Sequence, residues 1–260
     1  MPHYDFRTPR VYLDAPLAEG LAVSFDRAQA NYLLNVLRLK PGDTLLLFNG
    51  RDGEWQARLA GTGKRAPTAV IGERMREQPR PSDLHFLFAP LKHARLDYLV
   101  QKAVEMGAAH LQPVITRHTQ VARVNLDRMR ANVIEAAQQC GILTMPEVAE
   151  PVTFKAAVGQ ADRLLVFCDE DAEVKDPVAA LAQARPSARA LLPAEAARAG
   201  LPLAVLIGPE GGFAEEERDA LLKRPNVVRI ALGPRILRAD TAAVAALALV
   251  QAVLGDWRSS

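Results

Sequence analysis

One run of residues joins an apolar segment to a glycine-rich turn: Leu206-Ile207-Gly208-Pro209-Glu210-Gly211-Gly212-Phe213. The apolar residues 203–207 predict a strand buried on both faces, and three glutamates at 215–217 favour the first turn of a following helix. Ligands of open α/β sheets bind at the carboxyl ends of strands, where this turn is expected to lie. Its glycine spacing matches neither the dinucleotide-binding nor the P-loop pattern, so it indicates a different nucleoside-like ligand, with a purely structural turn as the alternative.

A second loop of this kind follows the next predicted strand, Val227–Leu232. Residues 233–242, with the sequence Gly-Pro-Arg-Ile-Leu-Arg-Ala-Asp-Thr-Ala, carry two arginines and lead into a predicted helix, Thr241–Leu254, that is apolar on nearly every side. Such a helix must be buried, either inside its own domain or against another subunit. In the alternative interpretation, Ile236 and Leu237 fill the core and the arginines lie at the surface.

Alternating strand and helix patterns from residue 83 onward predict an α/β domain with a mainly parallel sheet between two layers of helices. The other expected elements are the strands Leu84–Ala89, Leu111–Ile115 and Leu164–Cys168, the helices Ala94–Met106 and Asn125–Cys140, and a crossover helix with a surface loop over 179–200.

Residues 1–76 have a different pattern, of short strands around one helix, and predict a small β-barrel domain. The strands are expected at 23–25, 44–48, 54–59 and 68–71, with a tight hairpin connection at 49–53. Asp26 and Gln29 form a capping-box pattern that opens the helix, which is expected to end at Arg38. Residues 77–82 break every periodicity and are interpreted as the linker between the domains.

Composition narrows the class of protein. Of the 260 residues, 49% are hydrophobic and 24% charged, which is typical of a globular chain and argues against intrinsic disorder. Residues 1–80 carry 12 basic and 9 acidic residues, a mild excess that permits a nucleic-acid partner without requiring one. Two cysteines, Cys140 and Cys168, cannot form a disulfide scaffold; we expect both to be small buried hydrophobes in a reducing, cytoplasmic compartment. No segment reaches the roughly 20 apolar residues of a membrane-spanning helix, and no histidine spacing indicates a metal site.

The two loops, residues 206–213 and 232–242, resemble those of the SPOUT methyltransferases with a deep trefoil knot, and in particular the 16S ribosomal RNA (uracil-N3) methyltransferase family. Residues 36–38, 101–107 and 135–140 support this resemblance, which covers nearly the whole chain. The resemblance implies a PUA-like RNA-binding barrel over 1–76 and a SPOUT methyltransferase domain over 83–260. It also implies a homodimer, S-adenosylmethionine as methyl donor without a metal, and methylation of N3 of a specific uridine in 16S ribosomal RNA of the small ribosomal subunit.

By this resemblance, the donor-binding residues are expected in the two loops. They are Leu206, Gly208, Glu210, Gly211, Gly212, Leu232, Gly233, Ile236, Leu237, Arg238, Thr241 and Ala242. Arg238 is the candidate catalytic residue, because a cation would stabilise the charge that develops on the base when the N3 proton leaves. The general base is unassigned: Glu210 and Asp240 are candidates, although Glu210 is equally suited to orient backbone and Asp240 to cap the last helix.

The barrel arginines Arg7, Arg10 and Arg38 are candidates for RNA phosphate contacts, with plain solvated arginines as the alternative. Two other functions stay open. One is a SPOUT methyltransferase that acts on another RNA position, such as a ribose 2′-OH or transfer RNA. The other is a non-catalytic RNA-binding or ribosome-assembly factor.

Overall fold

The computed structural model describes residues 7–61, 67–92, 94–121, 123–159, 162–173, 176–190 and 201–258. The chain forms two compact units, each with its own sheet. The first unit comprises Met1–Arg80 and Ile134–Met145, and the second comprises Pro81–Val133 and Pro146–Ser260.

The first unit contains a five-stranded sheet. Its strands are β1 (Arg10–Tyr12), β2 (Ala22–Ser24), β3 (Thr44–Phe48), β4 (Glu54–Gly61) and β5 (Thr68–Arg76). The order across the sheet is β1-β3-β4-β5-β2; β1 and β3 are parallel, and the other pairs are antiparallel. The four predicted strands are present, whereas β1 was not predicted. Strand β5 continues to Arg76, beyond the predicted end at Ile71, because its polar second half pairs with the start of β4.

The capping box of the first unit is confirmed. Asp26 Oδ1 accepts a hydrogen bond from the Gln29 amide at 2.8 Å, and the Gln29 side chain accepts one from the Asp26 amide at 3.0 Å. The helix α1 (Arg27–Asn31) is short, however, and continues as a π-helical turn over Tyr32–Val36. The predicted α-helix to Arg38 was therefore too long.

The second unit contains a sheet in which all observed pairs are parallel, as predicted. Its strands are β6 (Leu84–Phe88), β7 (His110–Ile115), β8 (Glu147–Val148), β9 (Val152–Thr153), β10 (Leu164–Cys168), β11 (Leu203–Ile207) and β12 (Val227–Ile230). The order is β12-β10-β11-β6-β7-β8, with β9 beside β7. Every residue of β11 is buried, which explains its continuous apolar sequence. The trefoil knot stays a prediction.

Six helices accompany this sheet in the described residues. They are α2 (Ala94–Glu105), α3 (Leu126–Cys140), α4 (Phe154–Gly159), α5 (Pro177–Ala190), α6 (Glu215–Leu222) and α7 (Ala239–Val253). The predicted crossover helix is α5, while the loop expected at 191–200 lies outside the described residues. Helix α7 contacts α2, α5 and β11, and Leu247 and Val250 are fully buried. Its apolar surface is therefore covered in large part by its own unit. None of the described helices has the length and apolar content needed to cross a membrane.

The cysteines differ from the expectation in one respect. Cys140, at the end of α3, is exposed, so the prediction that it is buried is wrong. Cys140 lies on the same face of the helix as the buried residues Val133 and Ala137, but it is the last residue of the helix.

Candidate functional site

The carboxyl ends of three neighbouring strands, β12, β10 and β11, form one cavity of about 1140 Å³. Three loops line it: residues 207–213 after β11, residues 231–239 after β12, and residues 168–173 after β10. The first two loops are those that the sequence predicted. The third was missed, although the acidic pair Asp169-Glu170 directly after an apolar strand is a signal that could have found it.

Most of the predicted donor-binding residues line this cavity. They are Gly208, Glu210, Gly211, Gly212, Leu232, Gly233, Ile236, Leu237, Arg238 and Ala242. Leu206 and Thr241 do not line it, and their donor contacts stay predictions. Leu206 lies within β11 and is fully buried in the core, while Thr241 is on an exposed side of α7.

The glycine loop, residues 208–213, is held by its own packing. Phe213 is buried, and its ring packs edge-on against Phe167 at 5.1 Å between centroids. A Cβ at Gly208 would lie 2.6 Å from the Phe213 ring, so only glycine permits this packing. Gly212 has φ +69°, and a Cβ there would lie 2.7 Å from Glu170 Oε1. The glycines are thus required by the loop itself, in addition to any space that they leave for a ligand.

His118, in the loop after β7, braces the glycine loop. Its Nδ1 lies 3.2 Å from the Gly211 carbonyl oxygen and 3.1 Å from that of Gly212. Because carbonyl oxygens only accept, Nδ1 must carry the hydrogen. The adjacent Arg117 amide donates to Glu217 Oε1 at 2.9 Å, which ties the same loop to the start of α6. Nothing in the sequence indicates this role, because a single histidine without a partner motif carries no signal.

The third loop is organised around a cation. The carboxylates of Asp169, Glu170 and Asp171 lie within 4.8 Å of one another, and the guanidinium of Arg218 contacts all three. Asp169 is fully buried and also accepts hydrogen bonds from Arg229 at 2.7–2.8 Å. These two arginines offset two of the three negative charges beneath the cavity.

Cys168 lies at the edge of this loop and also lines the cavity. Burial, together with the nearby Asp169 carboxylate, raises the pKa of the Cys168 thiol to about 12. The thiol is therefore protonated at neutral pH, and this form is a poor nucleophile.

The polar candidates of the second loop differ in placement. Arg238 is exposed, lines the cavity and immediately precedes α7; its side chain has no hydrogen bond or ion pair with any described residue. Glu210 also lines the cavity and pairs with Arg95 at 3.6 Å. Asp240 is not among the lining residues, and its carboxylate accepts a hydrogen bond from the Thr241 amide at 2.9 Å. Of the two candidate bases, only Glu210 faces the cavity.

Arg10 is not available to RNA, so its predicted phosphate contact is corrected. Its side chain is 3% exposed, and Nε donates to Glu54 Oε1 at 2.6 Å. The rest of its guanidinium donates to the carbonyl oxygens of Ala137, Gln138 and Ile142. Arg10 is thus a structural residue of the first unit.

Arg7 and Arg38 are both exposed. Arg38 follows the π-helical turn and has φ +58°, the one left-handed non-glycine residue in the described part of the chain. Phosphate contacts by these two arginines stay predictions.

Two family models match the chain. Residues 78–251 match an RNA methyltransferase domain, and residues 25–72 match an RNA methyltransferase PUA domain. The first match alone covers more than half of the chain. The chain belongs to the RNA methyltransferase family.

Individual relatives agree with this family. The ribosomal RNA small subunit methyltransferase E of Rickettsia conorii is 30% identical over 93% of this chain and 94% of its own length. A Neisseria gonorrhoeae protein of the same name, solved with bound S-adenosylmethionine, has a TM-score of 0.78 at 28% identity and covers 96% of this chain and 100% of its own. A Legionella pneumophila methyltransferase, also solved with that cofactor, has a TM-score of 0.80 at 28% identity, with 96% and 99% covered. The predicted family resemblance and fold class are confirmed.

Proposed function

We propose that the protein transfers a methyl group from S-adenosylmethionine to N3 of a specific uridine in 16S ribosomal RNA. The observation that carries this proposal is the cavity at the ends of β10, β11 and β12, which ten of the twelve predicted donor-binding residues line. The bound cofactor in the Legionella and Neisseria relatives supports the choice of donor. The name of the Rickettsia relative supports the choice of a small-subunit RNA.

The cavity suits this donor in size and charge. Its volume of about 1140 Å³ accommodates a nucleoside-sized molecule. Leu232 and Leu237 offer apolar surface for a purine ring, and the exposed loop backbone offers hydrogen bonds for its edge. The loop after β10 carries three carboxylates, at residues 169–171, against the two guanidinium groups of Arg218 and Arg229, and this net negative charge would favour the net positive charge of the donor. When bound, the donor supplies a methyl group that its sulfonium already activates.

The protein's own residues would align the acceptor base and stabilise its charge. Uracil N3 loses a proton in this reaction, and the negative charge that develops is best stabilised by a cation without competing partners. Arg238 meets this description, since its guanidinium is exposed at the cavity and has no partner among the described residues. The general base stays unassigned, because Glu210 is paired with Arg95.

The partner assignments follow from the same proposal. The first unit would bind RNA through exposed arginines, including Arg7 and Arg38, in the context of the small ribosomal subunit in the cytoplasm. A homodimer would cover the half-exposed apolar residues Val244 and Leu249 of α7, and Ile236, which is 91% exposed beside the cavity.

The direct test is methyl transfer from tritiated S-adenosylmethionine to small ribosomal subunits that lack the endogenous modification. Nucleoside mass spectrometry should then identify 3-methyluridine in 16S RNA. A 2′-O-methylated nucleoside, or a methylated transfer RNA, would replace this function by the first alternative. Donor binding in calorimetry without transfer to any RNA would favour the non-catalytic alternative.

Arg238→Ala tests the catalytic assignment within this scheme. We expect a drop of about 10²-fold in the single-turnover rate, with donor affinity reduced far less. Arg130→Ala is the matched control, because Arg130 is exposed on α3 and pairs only locally with Asp127. An unchanged rate in Arg238→Ala would remove this residue from the mechanism.

A further inference from the structure

An acid-free segment lies on the surface of the first unit. No aspartate or glutamate occurs between Asp26 and Asp43, whereas Arg27, Arg38 and Lys40 carry positive charge. All three basic residues are exposed, and none of their side chains has an ion pair with a described residue. This segment therefore presents uncompensated positive charge to the solvent.

The same segment exposes an aromatic ring and an apolar neighbour. Tyr32 is 38% exposed and Val36 is 61% exposed, while Leu33 between them is fully buried in the core of the unit. Tyr32 and Val36 are four residues apart in a helical turn, so they share one side of it. The fold uses the buried leucine for packing and leaves the tyrosine ring accessible.

Two asparagines add hydrogen-bonding groups beside the ring. Asn35 Nδ2 donates to Asn31 Oδ1 at 2.7 Å, and both residues are exposed. This bond leaves one amide NH₂ group, on Asn31, and one amide oxygen, on Asn35, without a partner among the described residues. An amide donor and acceptor match the hydrogen-bonding edge of a nucleobase.

The backbone holds this surface in an unusual shape. The Leu37 amide donates to the Tyr32 carbonyl at 2.9 Å, which defines the π-helical turn, and the Leu39 amide donates to the Leu33 carbonyl at 2.9 Å. Between them, Arg38 has φ +58°, a conformation that glycine adopts with less strain. Four residues later, at Gly42, the chain has a positive φ of +92° and a glycine to adopt it. A non-glycine residue at position 38 therefore strains the backbone. The Arg38 side chain makes no hydrogen bond or ion pair with a described residue that would offset this strain.

We propose that Asn31, Tyr32, Asn35, Val36 and Arg38 form a surface that binds single-stranded RNA, with one unstacked base on the Tyr32 ring and a phosphate at Arg38. This inference rests on the proposed function, because it names the RNA contact of the first unit. Exposed aromatic rings beside basic side chains are how proteins hold single-stranded RNA. A protein partner is less well matched, since Tyr32 and Val36 are the exposed large apolar residues of the segment and every charged side chain between Asp26 and Asp43 is basic.

Arg38→Gly separates the two roles of this residue. Glycine relieves the left-handed backbone, so the thermal midpoint of the variant should stay equal or rise. Its affinity for a fluorescein-labelled, uridine-containing single-stranded RNA should fall about five-fold or more, and the log–log salt slope should decrease by about 0.7, the value for one phosphate contact. Arg38→Asn, which also tolerates a left-handed backbone, gives the second variant if glycine loosens the turn.

Tyr32→Leu removes the aromatic ring and keeps apolar volume. We expect an affinity loss of about ten-fold with an almost unchanged salt slope, because stacking is uncharged. Arg58→Ala is the matched control, since Arg58 is an exposed arginine on β4 of the same unit, and its affinity and slope should equal those of the unmodified protein. Double-stranded RNA of the same sequence should bind equally to unmodified protein and Tyr32→Leu.

The outcomes distinguish this inference from the proposed function. Unchanged affinity and slope in both Arg38→Gly and Arg38→Asn would reduce Arg38 to a helix cap and overturn the inference, even if the unmodified protein methylates 16S RNA. An equal loss in Arg58→Ala would also overturn it, because the surface would then not be specific. Conversely, an affinity loss confined to the Arg38 and Tyr32 variants supports the surface even if no RNA is methylated, a result that would refute the proposed function alone.

Discussion

Replacing Arg10 by alanine should destabilise the first unit without changing its mode of RNA binding. The Arg10 side chain is 3% exposed and the Glu54 side chain 2%, and their Nε–Oε1 distance is 2.6 Å. Arg76 contacts the other side of the same carboxylate at 2.7 Å, so Glu54 keeps one cation in the variant. The guanidinium also lies 4.3 Å from the centre of the Phe48 ring.

The expected loss can be estimated from these contacts. Removing one partner of a buried ion pair costs about 3–5 kcal/mol, and the remaining Arg76 favours the lower end of this range. Three carbonyl oxygens in residues 137–142 lose a donor as well, and an unsatisfied buried group costs about 1–3 kcal/mol. Because these effects are not additive, we expect a loss of about 4 kcal/mol in the free energy of unfolding.

Urea unfolding monitored by Trp55 fluorescence measures this loss, in a Trp257→Phe background so that the signal comes from the first unit. With an m-value of about 2 kcal/mol per M, the midpoint should fall by about 2 M. Arg58→Ala, an exposed arginine in the same sheet, should change the free energy by less than about 0.5 kcal/mol. A loss below 1 kcal/mol in Arg10→Ala, or a reduced RNA salt slope in the folded variant, would refute the structural assignment.

Three further predictions follow from the described contacts. Although burial opposes the effect, hydrogen bonds from two arginines lower the pKa of Glu54 below its ordinary 4.5. The Glu54 carboxylate should therefore stabilise the fold fully above about pH 4.5 and lose this contribution as the pH falls through its lowered pKa. In acid titration, the stability of Glu54→Gln should decline less steeply below about pH 4.5 than that of the unmodified protein. Gly212→Ala introduces a Cβ at φ +69° against the Glu170 carboxylate, and calorimetry should show about ten-fold weaker donor binding. Unchanged affinity would mean that donor binding does not depend on the shape of the glycine loop. His118→Ala removes the hydrogen bonds from His118 to the glycine loop, so donor affinity should fall several-fold. Affinity should recover in part in His118→Asn, whose amide can still donate. Equal donor affinity in the unmodified protein, His118→Ala and His118→Asn would contradict this role.

The sequence predicted the central strands of the second unit with few errors because their burial makes them continuous apolar runs. Leu164–Cys168 and Leu203–Ile207 have the predicted boundaries. The two-residue strands β8 and β9 have no such pattern, since they pair at the edge of the sheet. The π-helical turn at Tyr32–Val36 was also missed, because its side chains follow a helical periodicity and only the hydrogen-bond offset differs.

The candidate site was predictable where one loop carried the whole signal, and not where distant residues combine. The glycine loop and the loop after β12 are each visible in a single stretch of sequence. Arg10, in contrast, meets Glu54, a residue 44 positions away in the chain, and His118 meets a loop more than 90 positions away. Nothing in the local sequence of either residue distinguishes a solvated side chain from a structural one.

The division of labour between the two units should be tested by point substitutions rather than by truncation. The predicted boundary at 77–82 separates two sequence patterns, but residues 134–145 belong to the first unit by their contacts. The Tyr12 amide, for example, donates to Gln138 Oε1 at 2.9 Å, on a helix that begins at Leu126 in the second unit. A fragment of residues 83–260 would therefore lose these contacts, and its failure to methylate RNA would have two explanations.

Paired substitutions in the full chain avoid this ambiguity. Arg7→Gln combined with Arg38→Gln should weaken RNA binding and flatten its salt dependence by about 0.7 per true contact, while donor affinity in calorimetry stays within two-fold. Gly212→Ala should have the opposite effect, with weakened donor binding and unchanged RNA affinity, because its loop belongs to the second unit. If either variant reduced both affinities equally, donor and RNA binding would be energetically coupled, and the two units could not be assigned separate tasks.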